Sequence, residues 1–364
     1  MDIISLLLRL SLALIAFSIL IITHELGHFL VAKLSGVKVY EFGIGFPPAF
    51  KKIVTKSGMI YSLNALPFGG FVRIKGEDGS EAGADSFTEA KLYKKIFILL
   101  AGVMVNFMTA FMIIFILFKI GFPDILPANI PIDNINHAQR LSSGKVVVGY
   151  IVDGSVAQKS GLKNGDDIVS INSKNIDQVD DLFSATKELR GKNIDLRYNR
   201  DGQEHVVKIT LEDKDSAALG VSPITFDSIR YPWKESFIAT NQLIYNITAS
   251  TFKSIGALFS PSSQHRQDSL SNVTGPIGIV NVFIQSIDYG VSIIMVLIAS
   301  LALSLAIMNS LPIPALDGGR VLIVLLESLG IKTNQRILGI IYSLSFLILI
   351  GLMLIVSVQD ISKL

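Results

Sequence analysis

His24-Glu25-Leu26-Gly27-His28 places two imidazoles four residues apart, with a carboxylate beside the first. On a helix, positions i and i+4 differ by about 40° in azimuth, so both rings project from one face toward one ion. Neutral imidazole nitrogens suit Zn2+ at about 2.0–2.1 Å. Glu25 can then reach a metal-bound water and act as general base, which is hydrolytic chemistry. A catalytic zinc also needs a third protein ligand and an open position. The chain has no cysteine, so that ligand must be His, Asp or Glu.

The surroundings of these residues are apolar. "IITHELGHFLVAKL" runs from Ile21 to Leu34 inside a longer hydrophobic block. An ionisable cluster in such a block is costly unless it is paired or faces a hydrated cavity. Half of the chain is hydrophobic and only 17% is charged. Ile3 to Ile22 is interrupted only by Arg9, while Ile96–Phe118, Val291–Leu311 and Ile337–Val358 carry no charge. Each block is about 20 residues, which at ~1.5 Å per residue crosses a ~30 Å hydrocarbon layer. Four transmembrane helices are expected. A cleaved signal peptide is the other reading of the first block. Its apolar run is longer than a signal core, and no A-x-A type cleavage site follows it.

Lys33 marks the predicted inner end of the first helix, which puts His24 about 14 Å inside that boundary. The segment from Lys33 to Lys95 holds ten Lys or Arg, so the positive-inside rule makes this loop cytoplasmic. Arg320, Lys332 and Arg336 between the last two blocks agree. The long middle segment and both termini then face outward. The net charge of +2 carries little information, and no nucleic-acid partner is expected.

The remaining histidines, His137, His205 and His265, all fall in the outer segment. Asp317, in "NSLPIPALDGG" (Asn309 to Gly319), is brought by topology to the same half of the membrane as His24. Pro312 and Pro314 break the helix there, and Gly318-Gly319 permits close backbone approach. Irregular backbone at membrane depth is tolerated only where protein or water surrounds it. The alternative is a capping aspartate at a helix–loop junction. Between the first two helices, "LPFGGFVRI" (Leu66 to Ile74) reads as strand, Gly69-Gly70 turn, strand. "KGEDGSEAGADS" (Lys75 to Ser86) reads as a mobile polar loop.

Residues 141–213 read as a separate α+β domain, with a β-branched strand, a helix-turn-strand segment and a hairpin closed by Asp201-Gly202. "GSVAQKSGLKNGDDIVSIN" is similar to the signature of bacterial PDZ domains, which bind peptides by strand addition. Such a domain could instead act only as a spacer or size filter. Residues 214–290 are predicted to form a juxtamembrane connector. Within it Phe237, Ile238, Leu243, Ile244, Ile247 and Phe252 give an amphipathic pattern suited to lipid or to packing.

Taken together, HELGH in the first helix, N-x-x-P-x-x-x-L-D-G in the third and the PDZ-like insert resemble the site-2 protease family. The bacterial regulator-of-sigma-E branch is the closest in look. The resemblance implies a four-helix membrane protein of the bacterial inner membrane, with a membrane-associated β-loop and an inserted periplasmic PDZ domain. It divides the chain into 1–34 (first helix), 35–95 (cytoplasmic β-loop), 96–120 (second helix), 141–213 (PDZ), 214–290 (connector), 291–319 (third helix with LDGG) and 335–358 (fourth helix). By position it implies His24, His28 and Asp317 as zinc ligands and Glu25 as base. Asn309, Pro312 and Pro314 correspond to residues implicated in substrate handling, and Gly69-Gly70 becomes a substrate guide. "AGVMVNFMTAF" (Ala101 to Phe111) is also similar to the family, with Asn106 expected as a hydrogen-bonder between helices. Some relatives carry two tandem PDZ units, and only one can be placed here.

The expected activity is regulated intramembrane proteolysis: zinc-dependent cleavage of single-pass membrane proteins, such as trimmed anti-sigma factors, or of remnant signal peptides. One rival is a metal-free membrane adaptor that gathers partners through its PDZ domain. Another is a membrane metalloprotease with a Glu as third ligand.

Overall fold

A computed structural model of the chain describes residues 3–77, 79, 81–123, 138–141, 144–200, 202–213, 218–225, 228–258, 274–331 and 334–363. The polar stretch 260–272, His137, His265 and the hairpin residue Asp201 lie outside them. The chain divides into two compact units. One comprises residues 1–113 and 244–364, the other 114–243.

The first unit opens with α1 (Ile3–Leu34), mostly apolar but carrying Arg9, the HELGH cluster and Lys33. It stops where Gly36 adopts φ +77° and the Val37 N–H returns to the Ala32 carbonyl. Lys33 lies in the last turn of α1, and the Lys94 ammonium reaches the Ser35 carbonyl just beyond, at 2.7 Å; both positive charges suit the negative end of the helix dipole. The chain then forms β1 (Val39–Val54) and β2 (Ile60–Ile74), an antiparallel pair closed by the turn Thr55–Met59.

This corrects the expected position of the hairpin turn. Gly69-Gly70 lies inside β2, not at its end, and Gly69 takes φ +75° where the register shifts. A Gly-Gly pair serves a bulge as well as a turn, because either needs positive φ. Residues 41–44 of β1 are paired on both sides, with 60–63 and with 70–73, and Val39 pairs with Ile74. Residues 70–74 have no second partner strand among the described residues.

Helix α2 (Leu92–Ile120) packs closely on α1. A side chain at Gly27 would meet the Ala101 carbonyl oxygen at 2.7 Å, so the crossing depends on a missing Cβ. Phe29, Ala32, Val37, Phe42, Ile74, Phe87, Ile98 and Leu99 bury one another in a core shared by α1, the β-pair and α2. Val321 and Val324 pack against the same core from the helix that Asp317 opens. That single cluster aligns the elements that carry the site.

In the second unit, β3 (Phe122–Pro123) and β4 (Gln139–Leu141) flank β11 (Ser228–Arg230) in a small sheet. The larger sheet contains β5 (Val146–Ile151), β6 (Asp167–Ile171), β7 (Lys174–Asn175), β8 (Asn193–Arg200), β9 (Gln203–Thr210) and β10 (Val221–Thr225). Its order is β10-β5-β6-β8-β9, with β7 on β6. Helices α3 (Val156–Lys159) and α4 (Val179–Glu188) belong to this domain, and Ala157, Leu182 and Ala185 enter its core with Val146, Ile168 and Leu196. Asp166, almost fully buried, is held by Arg200 through Nε at 2.6 Å and Nη2 at 2.7 Å. The sheet thus extends beyond the expected limit of residue 213. "VSPIT" carries a proline and reads poorly as a strand in isolation, but as an edge strand it can tolerate one.

Helix α5 (Trp233–Leu258) buries Ser236, Ala239, Thr240, Leu243 and Ile244. Phe237, Ile238 and Phe252, expected on the same apolar face, are exposed instead. The face that packs combines the small Ser236, Ala239 and Thr240 with Leu243 and Ile244. An unforeseen helix, α6 (Pro276–Ser286), follows. It receives Arg9 on its Ile284 carbonyl at 3.2 Å. At its start, the N–H groups of Gly275 and Gly278 donate to the Asp360 carboxylate at 3.1 and 2.8 Å.

Helix α7 (Val291–Ser310) ends just before the prolines expected to break it, so the LDGG motif, grouped with the third helix up to 319, belongs to the next helix. Pro312 and Pro314 cannot donate to the helix ladder, and the chain turns through residues 311–316. Asp317 then opens α8 (Asp317–Ser328), and α9 (Gln335–Lys363) completes the chain. Helices α1, α2, α7 and α9 are each long and apolar enough to cross a membrane.

Candidate metal centre

Helix α1 presents His24 and His28 one turn apart toward α2, each only 8% exposed. The Nδ1 of His28 meets the Ile98 carbonyl oxygen of α2 at 2.7 Å. A carbonyl can only accept, so His28 carries its proton on Nδ1 and turns a lone pair outward on Nε2. Its other nitrogen lies 3.2 Å from the Nε2 of His24. On the far side of the two rings, α2 contributes Gly102. A Cβ there would collide with the Nε2 of His28 and come within 2.6 Å of the Cε1 of His24. Gly102→Val is therefore expected to yield a folded protein without stoichiometric zinc, measurable by metal analysis. Retention of the ion would mean that α1 and α2 can part freely.

Asp317 reaches the same point from α8. Its Oδ2 lies 3.1 Å from the Nε2 of His24 and 3.5 Å from the Nε2 of His28. These are ion-pair distances, yet that oxygen is buried and makes no hydrogen bond of acceptable geometry. The break before α8 makes this reach possible. Side chains at Gly318 and Gly319 would strike the backbone of Ser310 and Ile313, so only glycines let α8 start so close to the preceding turn.

Three electron-pair donors separated by 3.1, 3.2 and 3.5 Å match the edges of a tetrahedral zinc site. Bond lengths of 2.0–2.1 Å give edges of about 3.3 Å. Such a convergence of lone pairs in a buried place calls for a cation, and the nitrogen–oxygen donor set fits zinc. No other cluster of this kind occurs among the described residues. His205 stacks on Tyr198 in the second unit.

Glu25, His28 and Asp317 line a cavity of about 240 Å3 together with Phe71, Val72, Glu77 and Arg320. A larger cavity of about 730 Å3 shares Val72, Ile74, Glu77 and Arg320 with it, so the two adjoin at the end of β2. Arg320, one turn after Asp317, pairs with Glu77. Burial pushes the Glu77 carboxyl up, and the guanidinium opposes that shift. Sequence reading passed over this pair, since a polar glycine-rich loop gave no sign that one of its acids is half-buried against Arg320.

Gly70 lies against α1, where an added Cβ would contact the Cγ of Glu25 and the Cγ1 of Ile22 at 3.6 Å each. The Gly-Gly segment thus runs beside the candidate base. Asn309, Pro312 and Pro314 are not among the residues lining the smaller cavity. Pro312 is exposed, and Asn309 and Pro314 are partly buried.

A hydrolytic metal site set among apolar helices defines a membrane metallopeptidase. The chain belongs to peptidase family M50, which it matches over residues 12–352, and it is a zinc metalloprotease of the site-2 type. It is 34% identical to a putative zinc metalloprotease of Fusobacterium nucleatum over 97% of this chain and 98% of that protein. It is 27% identical to the zinc metalloprotease RasP of Shouchella clausii, covering 96% of this chain and 97% of the relative. The probable protease Eep of Enterococcus faecalis is 25% identical at the same coverage.

Proposed function

We propose that the protein hydrolyses peptide bonds within transmembrane segments of single-pass membrane proteins or remnant signal peptides, with His24, His28 and Asp317 holding zinc and Glu25 as general base. The observation that carries this reading is the meeting of three buried donors beside Glu25 in a cavity open toward a strand edge. The chemistry zinc supplies when bound there is Lewis acidity. Glu25 takes a proton from the attacking water and later delivers it to the leaving amine.

A transmembrane helix hides its carbonyls in its own hydrogen bonds, so a substrate must unwind before attack. Residues 70–74 offer it a replacement ladder: an extended substrate added to this edge is held next to Glu25. Gly69 and Gly70 let the two backbones approach, and Asn309, Pro312 and Pro314 act in substrate handling. The tip of the β-pair exposes Phe46, Phe50, Ile53 and Leu63, a surface suited to lipid. We place the protein in the bacterial inner membrane, with the β-pair on the cytoplasmic side and residues 141–213 outside as a PDZ domain. That domain excludes bulky outer domains or takes a newly exposed C-terminus.

The test is cleavage of a single-pass substrate with and without its outer domain, by purified protein in liposomes. Cleavage of the trimmed form only, lost with a chelator and restored by zinc, is the expected result. Equal cleavage of both forms would remove the filtering role. Cleavage unaffected by chelation would remove the metal centre.

A further inference from the structure

We propose that Asn106 is a positioning residue of the metal centre, whose side-chain carbonyl accepts the Nδ1 hydrogen of His24 and so holds Nε2 toward Asp317. This rests on the reading of His24 as a zinc ligand.

Asn106 is fully buried in the middle of α2, in a stretch with no charged residue. An amide in such a place is costly unless it is bonded. Its Nδ2 lies 3.1 Å from the Nδ1 of His24, and its Oδ1 is buried without a partner. The two ends of an amide are told apart only by their bonding. With Nδ2 facing the ring, Nδ1 of His24 must carry the lone pair and Nε2 the hydrogen, which blocks Nε2 as a ligand. Turning the amide by 180° reverses this. Oδ1 then accepts from Nδ1–H, and the Nε2 lone pair joins those of His28 and Asp317. The number of bonded amide atoms is the same either way, so the choice is made by the cation. An asparagine can serve both arrangements, whereas an ionised aspartate serves only the second.

The partner histidine follows the same rule, since the Nδ1 of His28 is held by the Ile98 carbonyl. Ile98, Gly102 and Asn106 are spaced by four and share one face of α2. That face supports one ring, makes room for both and supports the other. Partners behind a metal-bound histidine fix its tautomer and orientation, and their loss costs about 10–100-fold in metal affinity or activity.

The experiment is zinc competition against a chelator with full-length protein in detergent, for wild type, Asn106→Leu, Asn106→Asp and His24→Ala. Thermal unfolding of each metal-free protein is followed in parallel. Asn106→Leu keeps the branched shape and removes the acceptor. It is expected to bind zinc about 10–100-fold more weakly with unfolding unchanged. Asn106→Asp, an acceptor as the carboxylate, is expected to stay within about tenfold of wild type. Equal affinity in the Leu variant and wild type would overturn the proposal while leaving the metal centre intact. Equal losses in the Leu and Asp variants would reduce Asn106 to a packing residue and overturn it too. If His24→Ala bound zinc as wild type does, the ligand reading would fall first, and this inference with it.

Discussion

Glu25→Gln is expected to leave a folded, zinc-loaded protein whose kcat/KM has fallen by about three orders of magnitude. Positioned general bases contribute about 10²–10⁴-fold, so a loss of ~10³ corresponds to about 4 kcal/mol in the barrier. Glutamine keeps the length and volume of the side chain, so its place in the 240 Å3 cavity and beside Gly70 is preserved. What it cannot do is accept a proton. The three donors that meet around the candidate ion do not include Glu25, which is why metal content should be unchanged. Cleavage rate and zinc stoichiometry on the same purified sample decide the matter. Activity within tenfold of wild type would take Glu25 out of proton transfer.

Asp317→Ala should act on the metal itself. Removing it leaves two imidazoles on one helical turn, too few for a tetrahedral site. Zinc affinity should fall by more than the ~10–100-fold typical of an outer-shell change, and activity with it. The fold should survive. Asp317 sits in the first turn of α8, where a carboxylate stabilises a helix by only about 0.3–1 kcal/mol through the helix dipole. The packing of Val321 and Val324 against the shared core is untouched. Metal analysis with circular dichroism separates loss of the ion from loss of the fold. Full zinc occupancy in Asp317→Ala would show that another residue is the third ligand, a glutamate being the obvious candidate.

Much of this protein is written locally. Four blocks of some 20 apolar residues need no context to be read as long helices, because the backbone's hydrogen bonds can close only within the segment. His24 and His28 share a face because one turn of helix separates them. Where a local signal serves two structures, the reading failed. Gly69-Gly70 suits a turn or a bulge, and the strand runs straight through it while Thr55–Met59 makes the turn. Strand β10 was missed because it is recognisable only by its pairing to β5. Helix α6 is short, and Arg9 and Asp360, which hold it, are remote in sequence.

What the residues settled alone was which chemistry is possible: two imidazoles and a carboxylate on one helical turn, in a chain without thiols. Which groups meet was decided by the tertiary structure. Asp317 reaches the histidines because two prolines end α7 and two glycines let α8 begin against the turn. Asn106 and the Ile98 carbonyl stand behind the rings because Gly27 lets α1 meet the backbone of α2 and Gly102 leaves room for both rings. Periodicity fixes the direction of a side chain about its own helix, but the approach of two helices depends on the steric fit of both surfaces at once.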